Sequence, residues 1–338
     1  MKCFTTSLLY LSFLLLGVGR FRSPAAALPN PYKPPVESWG HLPEGRIWGA
    51  VAGTSLDSHG HLWVLERCGG VSCADSTLAP ILELDSASGN VLKSFGAGLL
   101  VVPHAIYIDQ RDSDSIWVVD EGEKDGKGEQ VWKFTPGGNR LLVLGKAGLK
   151  GETPQTFNHP TSVVTAKNGD IFVTDGHSGA SQTVARILKF SRDGKFLKTW
   201  GKEGTAPGDL NDPHSIAMDT EGRLVVADRG NFRIDIFDQD GKFITSWKQF
   251  GIPSGVAVDG KDTLYVADNF LRPQAPGFPR GIRIGSAKTG KVKAFLADPD
   301  QDPNDGSIGP ESLSVDDRGT IYDGEVNRRM IKKYVLRR

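Results

Sequence analysis

The sequence has little that would suit a polyanionic partner or a disulfide-built scaffold. Its 338 residues contain 40 Lys and Arg against 40 Asp and Glu, so the formal net charge is zero. A chain without net charge has no overall field that would recruit nucleic acid or an anionic membrane. Three cysteines are too few for a disulfide-dense fold, and three methionines are too few for a Met-rich store of soft metal ions.

Motifs for several common chemistries are also missing. The chain contains no Gly-x-Ser-x-Gly nucleophile elbow, no phosphate-binding loop and no Cys-x-x-Cys pair. What it does contain is 41 Gly and 20 Pro, together with 38% hydrophobic residues. So many turn-forming residues, in a chain that can still bury a large core, argue against a helical bundle.

The first 27 residues have the composition of a secretory signal peptide. A short basic start precedes an apolar run at Leu8–Gly19, and a triple alanine offers a small-residue cleavage site. The run is too short to span a bilayer permanently, although two arginines in its tail leave an uncleaved anchor as the alternative. We expect a secreted or periplasmic protein, with no membrane attachment after cleavage. The cleaved protein would retain Cys68 and Cys73, either as a disulfide or as a reduced pair.

One pattern recurs throughout the rest of the chain. An apolar, β-branched run leads to an Asp and a Gly turn, and a second β run follows that ends in an acid. The six copies are SLDSHGHLWVLER (55–67), IYIDQRDSDSIWVVDEG (106–122), VVTAKNGDIFVTDG (163–176), IAMDTEGRLVVADRG (216–230), VAVDGKDTLYVADN (256–269) and LSVDDRGTIYDGEVN (313–327). A third and a fourth strand follow most copies, as at 234–237 and 240–247. Four antiparallel strands per repeat predict the blade of a β-propeller.

Six copies predict an all-β, six-bladed propeller whose four-stranded antiparallel blades surround a central channel. The closing acids are Glu66, Asp120, Asp175, Asp228, Asp268 and Glu325, at spacings of 54, 55, 53, 40 and 57 residues. The shortest spacing suits a bare blade, and the others include loop insertions. Because a ring of blades has to close, we assign one domain to residues 45–338, after a Pro-rich lead-in at 28–44. The alternative, a two-domain β-sandwich, does not repeat so regularly.

One position, five residues before the Asp of each copy or its equivalent, carries candidate metal ligands. Its occupants are Ala52, His104, Thr161, His214, Ser254 and Glu311. Equivalent positions on the innermost strands form a ring around a propeller axis, so His104, His214 and Glu311 alternate with small side chains at about 120°. Two His and one Glu, with a fourth position open, are a set that catalytic zinc accepts. The alternatives are histidines that merely bond to backbone, and Glu311 as the partner of a channel arginine.

Charged side chains also follow the second strands, which end at the same mouth of the channel. Arg67 and Arg229 could each bind a substrate carboxylate in a bidentate manner, and His177 could act as general acid or base near neutral pH. An arginine beside an acid at a strand end is also a common ion pair between blades, which is the alternative for Arg229. His159 lies outside the ring position and is interpreted as structural.

These residues resemble the NHL-repeat propellers and, among them, the peptidyl-alpha-hydroxyglycine alpha-amidating lyase domain, over roughly residues 45 to 335. The resemblance implies a six-bladed propeller that cleaves a peptidyl-hydroxyglycine into a peptide amide and glyoxylate, with a zinc held by three histidines in its channel. Pro103-His-Ala-Ile106 and Pro213-His-Ser-Ile216 resemble the first two zinc motifs. Arg67 and Arg229 match the substrate-binding arginines.

Two positions depart from that family's pattern. Glu311, in Gly309-Pro-Glu-Ser-Leu313, stands where the third zinc histidine belongs. His177, in Val173-Thr-Asp-Gly-His177, stands in place of the catalytic tyrosine. A Glu ligand lowers the net charge of a zinc site by one unit relative to His, and proton transfer would fall to His177.

Three functions are compatible with this sequence. The first is an exported zinc lyase for a small-molecule or peptide substrate with a terminal carboxylate, which a separate enzyme would have to hydroxylate. The second is a noncatalytic NHL propeller that binds a protein or peptide, because the repeat by itself needs only packing. The third is a lactonase-like, metal-dependent hydrolase, in which Glu311 would favour a hard ion such as calcium.

Overall fold

The computed structural model describes residues 28–177, 184–269, 279–299 and 309–338, in which the chain forms 23 strands in six antiparallel sheets. Five sheets have four strands and one has three, which confirms the predicted six-bladed propeller. The predicted signal peptide at 1–27 lies outside the described residues. Within them, Arg229–Asn231 is the one helical turn, and no helix is long and apolar enough to cross a bilayer.

The strands of each blade follow one another in chain order from the channel outward. Blade 1 consists of β1 (Val51–Leu56), β2 (Leu62–Glu66), β3 (Ile81–Leu84) and β4 (Val91–Phe95). Blade 2 consists of β5 (Pro103–Asp109), β6 (Ser115–Lys124), β7 (Lys127–Phe134) and β8 (Arg140–Leu144). Blade 3 consists of β9 (Pro160–Thr165), β10 (Ile171–Asp175), β11 (Arg186–Phe190) and β12 (Phe196–Trp200). Blade 4 consists of β13 (Pro213–Met218), β14 (Leu224–Asp228), β15 (Arg233–Phe237) and β16 (Phe243–Trp247). Blade 5 consists of β17 (Pro253–Val258), β18 (Thr263–Asp268), β19 (Gly281–Ser286) and β20 (Val292–Ala297). Blade 6 consists of β21 (Ser312–Val315), β22 (Ile321–Glu325) and β23 (Met330–Tyr334).

The hydrophobic core is divided into six clusters, each between two neighbouring blades. Trp117 of blade 2, for example, packs in one cluster with Val173 of blade 3. Tyr322 of blade 6 packs with Val51 of blade 1, and this cluster closes the ring. Second strands such as β10 and β14 are buried along their whole length, because both of their faces lie against other blades. Each blade is therefore stable only with its neighbours in place.

The Asp after the first strand of a repeat organises the turn that follows it. Asp219 accepts hydrogen bonds from Glu221 N at 3.0 Å and from Arg223 N at 2.8 Å. The same pair of contacts is made by Asp57, Asp259 and Asp316. This use of a short carboxylate to satisfy turn N–H groups is the reason that Asp recurs before the Gly.

In blades 1 to 4 the acid that closes the repeat binds the loop that enters the same blade. Asp120 is fully buried and accepts hydrogen bonds from Val101 N at 2.9 Å and Val102 N at 2.7 Å. Equivalent bonds are accepted by Glu66, Asp175 and Asp228 from the backbone N of Gly49, Asn158 and Asn211. These four closing acids are therefore structural, and they hold in place the loops that lead to the channel.

The blade with three strands takes its outer strand from the predicted lead-in. Backbone hydrogen bonds of 2.9 Å run from Lys33 N to Val335 O and from Val36 N to Lys333 O. The Tyr32 hydroxyl also donates to Gly319 O at 2.9 Å, across 287 residues of sequence. The lead-in is thus paired with β23, and it joins the start of the ring to its end.

We expect Tyr32→Ala to destabilise the protein by about 3 kcal/mol, because the substitution empties a core position where the ring closes. Tyr32 is 2% exposed, whereas Val36 of the same segment is 53% exposed. Val36→Ala is the matched control and should change the free energy of unfolding by less than about 0.5 kcal/mol. Urea unfolding measures both, and equal effects would contradict a closing role for this segment.

Candidate functional site

Five of the six predicted ring residues lie at β-bulges in the innermost strands. Strand pairing in blades 2 and 4 skips His104 and His214, each of which is the extra residue of a bulge. The same irregularity occurs at Ala52, Thr161 and Ser254. A bulge re-aims the side chain of its extra residue. All six predicted ring residues, Glu311 included, line a channel cavity of about 670 Å³.

His104 and His214 are each oriented by the neighbouring blade. His104 Nδ1 lies 2.7 Å from the carbonyl oxygen of Thr161, and His214 Nδ1 lies 3.1 Å from that of Ser254. A carbonyl oxygen can only accept, so Nδ1 carries the proton in both rings and Nε2 keeps its lone pair. Metal-binding histidines are oriented in this way by a carbonyl or carboxylate on the other nitrogen.

Burial keeps both rings neutral at pH 7. It lowers the pKa of His104 to about 4, and it lowers the pKa of His214 well below the usual value, with a further contribution from the positive charge of Arg229. His214 Nε2 has no hydrogen-bond partner among the described residues. It faces Glu311 Oε1 at 3.2 Å, so two lone pairs point at each other without a proton between them. A bound cation would relieve this repulsion, and the donor set therefore fits a metal ion.

The structure brings His177 to the same point as the two ring histidines. One ring nitrogen of each of His104, His177 and His214 lies within 4.8 Å of the others. Glu311, which the sequence analysis assigned as the third ligand, is held by Asn269, whose amide donates to its second oxygen. The donors that converge at the end of the channel are thus His104, His177 and His214, while Glu311 contacts this group through His214.

Glu121, which is not among the predicted site residues, lies at the centre of this group. Its Oε1 is 3.0 Å from Arg67 Nη2, and its Oε2 is 2.6 Å from His177 Nδ1 and 3.8 Å from His104 Nε2. Burial opposes its ionisation, but these three neighbours hold the pKa of Glu121 well below its usual range.

A positional signal for Glu121 was present in the sequence. It directly follows the closing acid of blade 2, as Arg67 and Arg229 follow those of blades 1 and 4 and as Asn269 follows that of blade 5. All four side chains reach the channel mouth, so comparing this position across the blades would have found Glu121 and Asn269.

Both predicted arginines lie at the site and already have partners. Arg67 Nε donates to Pro103 O at 3.0 Å, and the disulfide between Cys68 and Cys73 follows it directly. Arg229 is 5% exposed and donates from Nε to Asp212 Oδ2 at 2.7 Å. Its Nη2 lies 2.8 Å from His177 Nε2. Arg229 therefore forms an ion pair, as the alternative predicted, and also faces the site.

His159 is placed outside this group. Its Nδ1 lies 3.1 Å from the carbonyl oxygen of Glu121, and its backbone N donates to Glu129 Oε2 at 2.8 Å. These contacts attach the loop of blade 3 to blade 2. They agree with the structural interpretation of this histidine.

A second group of metal-type donors lies beyond the far end of β1. His61 Nδ1 is 2.7 Å from Glu83 Oε1, Lys93 Nζ is 2.8 Å from Glu83 Oε2, and Trp63 Nε1 donates to Asp57 Oδ2 at 3.1 Å. The two carboxylates therefore already have partners: a lysine and a histidine for Glu83, and an indole N–H for Asp57. This group is best explained as an ion pair between strands.

Comparison with known proteins places the chain among the NHL propellers. The family model of the NHL repeat matches residues 210–237. NHL repeat-containing protein 3 of Homo sapiens is 32% identical over 244 residues, which cover 69% of this chain and 66% of that protein. A probable peptidyl-alpha-hydroxyglycine alpha-amidating lyase of Caenorhabditis elegans is 31% identical, with 62% of each chain covered. Peptidyl-glycine alpha-amidating monooxygenase A of Xenopus laevis is 31% identical over 87% of this chain. The matched region is only 33% of the length of that monooxygenase.

Solved structures share the fold at lower identity. A gluconolactonase from Xanthomonas campestris superposes with a TM-score of 0.59 at 15% identity, covering 94% of this chain and 99% of its own. An inactive virginiamycin B lyase from Staphylococcus aureus superposes with a TM-score of 0.56 at 16% identity, covering 90% of this chain and 100% of its own. At these identities the likeness establishes the propeller fold alone.

The neutral state of His104 predicts a pH-dependent stability. Its pKa in the folded state, about 4, lies below the unfolded value near 6.5. As the pH falls through this window the unfolded chain gains a proton that the folded protein does not, so folding is weakened. In metal-free protein, the stability of the wild type relative to His104→Gln should therefore fall by about 2 kcal/mol between pH 7 and 4.5.

Urea unfolding at several pH values measures this difference. The buried closing acids titrate with the opposite sign, since burial raises the pKa of Asp120 and Asp175 to about 6, but they are present in both proteins and cancel. His59→Gln, at a side chain that is 73% exposed, should leave the profile unchanged. Parallel profiles for the wild type and His104→Gln would show that His104 is not held neutral.

Proposed function

Because the chain is a six-bladed NHL-repeat propeller that resembles the peptidyl-alpha-hydroxyglycine alpha-amidating lyases, we propose that it is an exported, metal-dependent lyase. Its substrate would be a carbinolamide with a terminal carboxylate, cleaved at the C–N bond with release of glyoxylate. The observation that carries the proposal is the meeting of His214 Nε2 and Glu311 Oε1 as two acceptors 3.2 Å apart, in a buried channel end that His104 also lines.

His104, His214 and Glu311 would hold the ion, with zinc as the proposed metal. Zinc, when bound, supplies a Lewis acid that polarises an oxygen of the substrate. The neutral state of both histidines supports this assignment, because no proton has to be displaced from either ring near pH 7.

The remaining site residues would bind the substrate and move its protons. Arg229, with Arg67 beside it, would orient the carboxylate. His177 Nε2 would accept the proton of the substrate hydroxyl, whose O–H electron pair becomes the second bond of the new carbonyl. The C–N bond breaks, the amide nitrogen takes its electron pair and a proton, and the products are an amide and glyoxylate. A separate hydroxylating enzyme would have to supply this substrate.

A metal-dependent hydrolase is the second candidate, favoured by the carboxylates of Glu121 and Glu311 near the centre. Oxygen donors suit hard ions, so calcium rather than zinc would support this function. A noncatalytic propeller that binds a peptide or protein requires no metal at all. The identity of the bound metal therefore separates the three functions.

We expect one equivalent of zinc in protein that is purified from residue 28 onward without chelators and analysed by elemental mass spectrometry. His104→Ala, His214→Ala and Glu311→Ala should each lose it, because a catalytic zinc site has only three protein ligands and each variant removes one of them. His159→Ala and His61→Ala are matched controls that should retain it. Calcium in place of zinc would favour the hydrolase, and no metal after incubation with zinc would leave the noncatalytic propeller.

Lyase activity can be measured with N-benzoyl-α-hydroxyglycine as the release of benzamide and glyoxylate. His177→Asn should lower kcat by about 10²-fold or more, because it removes the group that accepts the proton. The zinc content of the variant should remain at one equivalent. Full activity in His177→Asn would assign proton transfer to another group.

A further inference from the structure

A continuous line of polar contacts crosses the mouth of the channel. Arg67 Nη2 lies 3.0 Å from Glu121 Oε1, and Glu121 Oε2 lies 2.6 Å from His177 Nδ1. His177 Nε2 lies 2.8 Å from Arg229 Nη2, and Arg229 Nε lies 2.7 Å from Asp212 Oδ2. Both nitrogens of the His177 ring are therefore in contact with a charged group, one of each sign.

The chemistry of these partners determines where the His177 proton lies. A guanidinium can only donate, so Nε2 must accept from Arg229 with its lone pair. Nδ1 then carries the ring proton and faces the carboxylate of Glu121. The nitrogen that would accept a substrate proton, His177 Nε2, is therefore already occupied by Arg229 in the ligand-free protein.

We propose that Arg229 caps His177 in the ligand-free protein and that the carboxylate of a bound substrate removes this cap. The inference rests on the proposed function, which brings such a carboxylate to Arg229. An ionised acceptor forms a stronger hydrogen bond with a guanidinium than a neutral imidazole does. A carboxylate at Arg229 Nη2 therefore displaces His177 Nε2, whose lone pair becomes available to the substrate hydroxyl.

The groups on either side of the exchange are held in place while it occurs. Asp212 keeps its contact with Arg229 Nε, which is a different nitrogen from the one that exchanges. Glu121 Oε2 lies 2.6 Å from His177 Nδ1 on the other side of the ring, and Glu121 Oε1 is itself held by Arg67. The exchange thus breaks one contact and leaves its neighbours intact.

The coupling of carboxylate binding at Arg229 to the release of His177 Nε2 restricts the substrates that react more strongly than binding affinity alone would. A ligand with a carboxylate both binds Arg229 and uncovers the base. A neutral analogue of the same shape leaves His177 Nε2 bonded to Arg229, so it is not deprotonated even if it enters the site. Selectivity for carboxylate-terminated substrates is then expressed in the proton transfer step as well as in binding.

Imidazole nitrogen resonances test the exchange without any turnover. Protein labelled with ¹⁵N-histidine is titrated with N-acetylglycine and, as the matched control, with N-acetylglycinamide, which lacks the charge. The His177 signals are identified by their loss in His177→Asn. We expect N-acetylglycine to move His177 Nε2 downfield, towards a nitrogen without a hydrogen bond, while Nδ1 stays protonated. The amide should leave both signals in place.

Two arginine variants separate the cap from general effects of charge. In Arg229→Gln, His177 Nε2 should lie at or near the downfield position before any ligand is added, and calorimetry should show at least about tenfold weaker binding of N-acetylglycine. In Arg67→Gln, which removes the arginine that does not touch Nε2, the signal should remain capped until the carboxylate is added. Thermal unfolding verifies that both variants are folded, and the wild-type titration decides the question if either is not.

Three results would overturn the cap. These are N-acetylglycine bound with no change at His177 Nε2, equal changes with both ligands, or no binding of N-acetylglycine at millimolar concentration. Because the ligands do not react and the spectra can be recorded on metal-free protein, the outcome is independent of lyase activity. Absence of zinc or of turnover would refute the proposed function, whereas an unchanged resonance in an active lyase would refute the cap alone.

Discussion

Closure of the ring is the constraint on which the rest of this structure depends. Among the described residues no blade has a hydrophobic core of its own, since each cluster of buried side chains lies between two blades. The segment around Tyr32 completes the last blade and packs the beginning of the chain against its end. Once the ring is closed, six equivalent positions must face one channel, so residues far apart in sequence become neighbours.

The site is built from the same structural features that recur in each repeat. Buried acids such as Asp120 hold the loops that enter each blade, and the bulges at His104 and His214 turn single side chains inward. Function then depends on which residue occupies two positions per blade: the bulge, and the position after the closing acid. A propeller can therefore acquire a polar centre with few changes to its packing.

Desolvation decides the charge state of that centre. The two ring histidines are neutral because burial disfavours their protonated form, while Glu121 stays ionised because cationic and polar neighbours outweigh its burial. The resulting set of neutral nitrogens and carboxylates suits a metal ion. This balance supports the proposed metal site over a simple binding platform, and the similarity to amidating lyases supports the proposed lyase.

The sequence by itself determined the fold and the ring positions, because the same pattern of strand, turn, strand and acid recurs six times and its spacing can be read directly. It also indicated Arg67, His177 and Arg229, which follow recognisable strand ends. The tertiary structure alone decided that Glu121 lies between Arg67 and His177 and that Arg229 contacts His177 Nε2. These contacts connect different blades, and local patterns carry no information on the distance between side chains that only ring closure brings together.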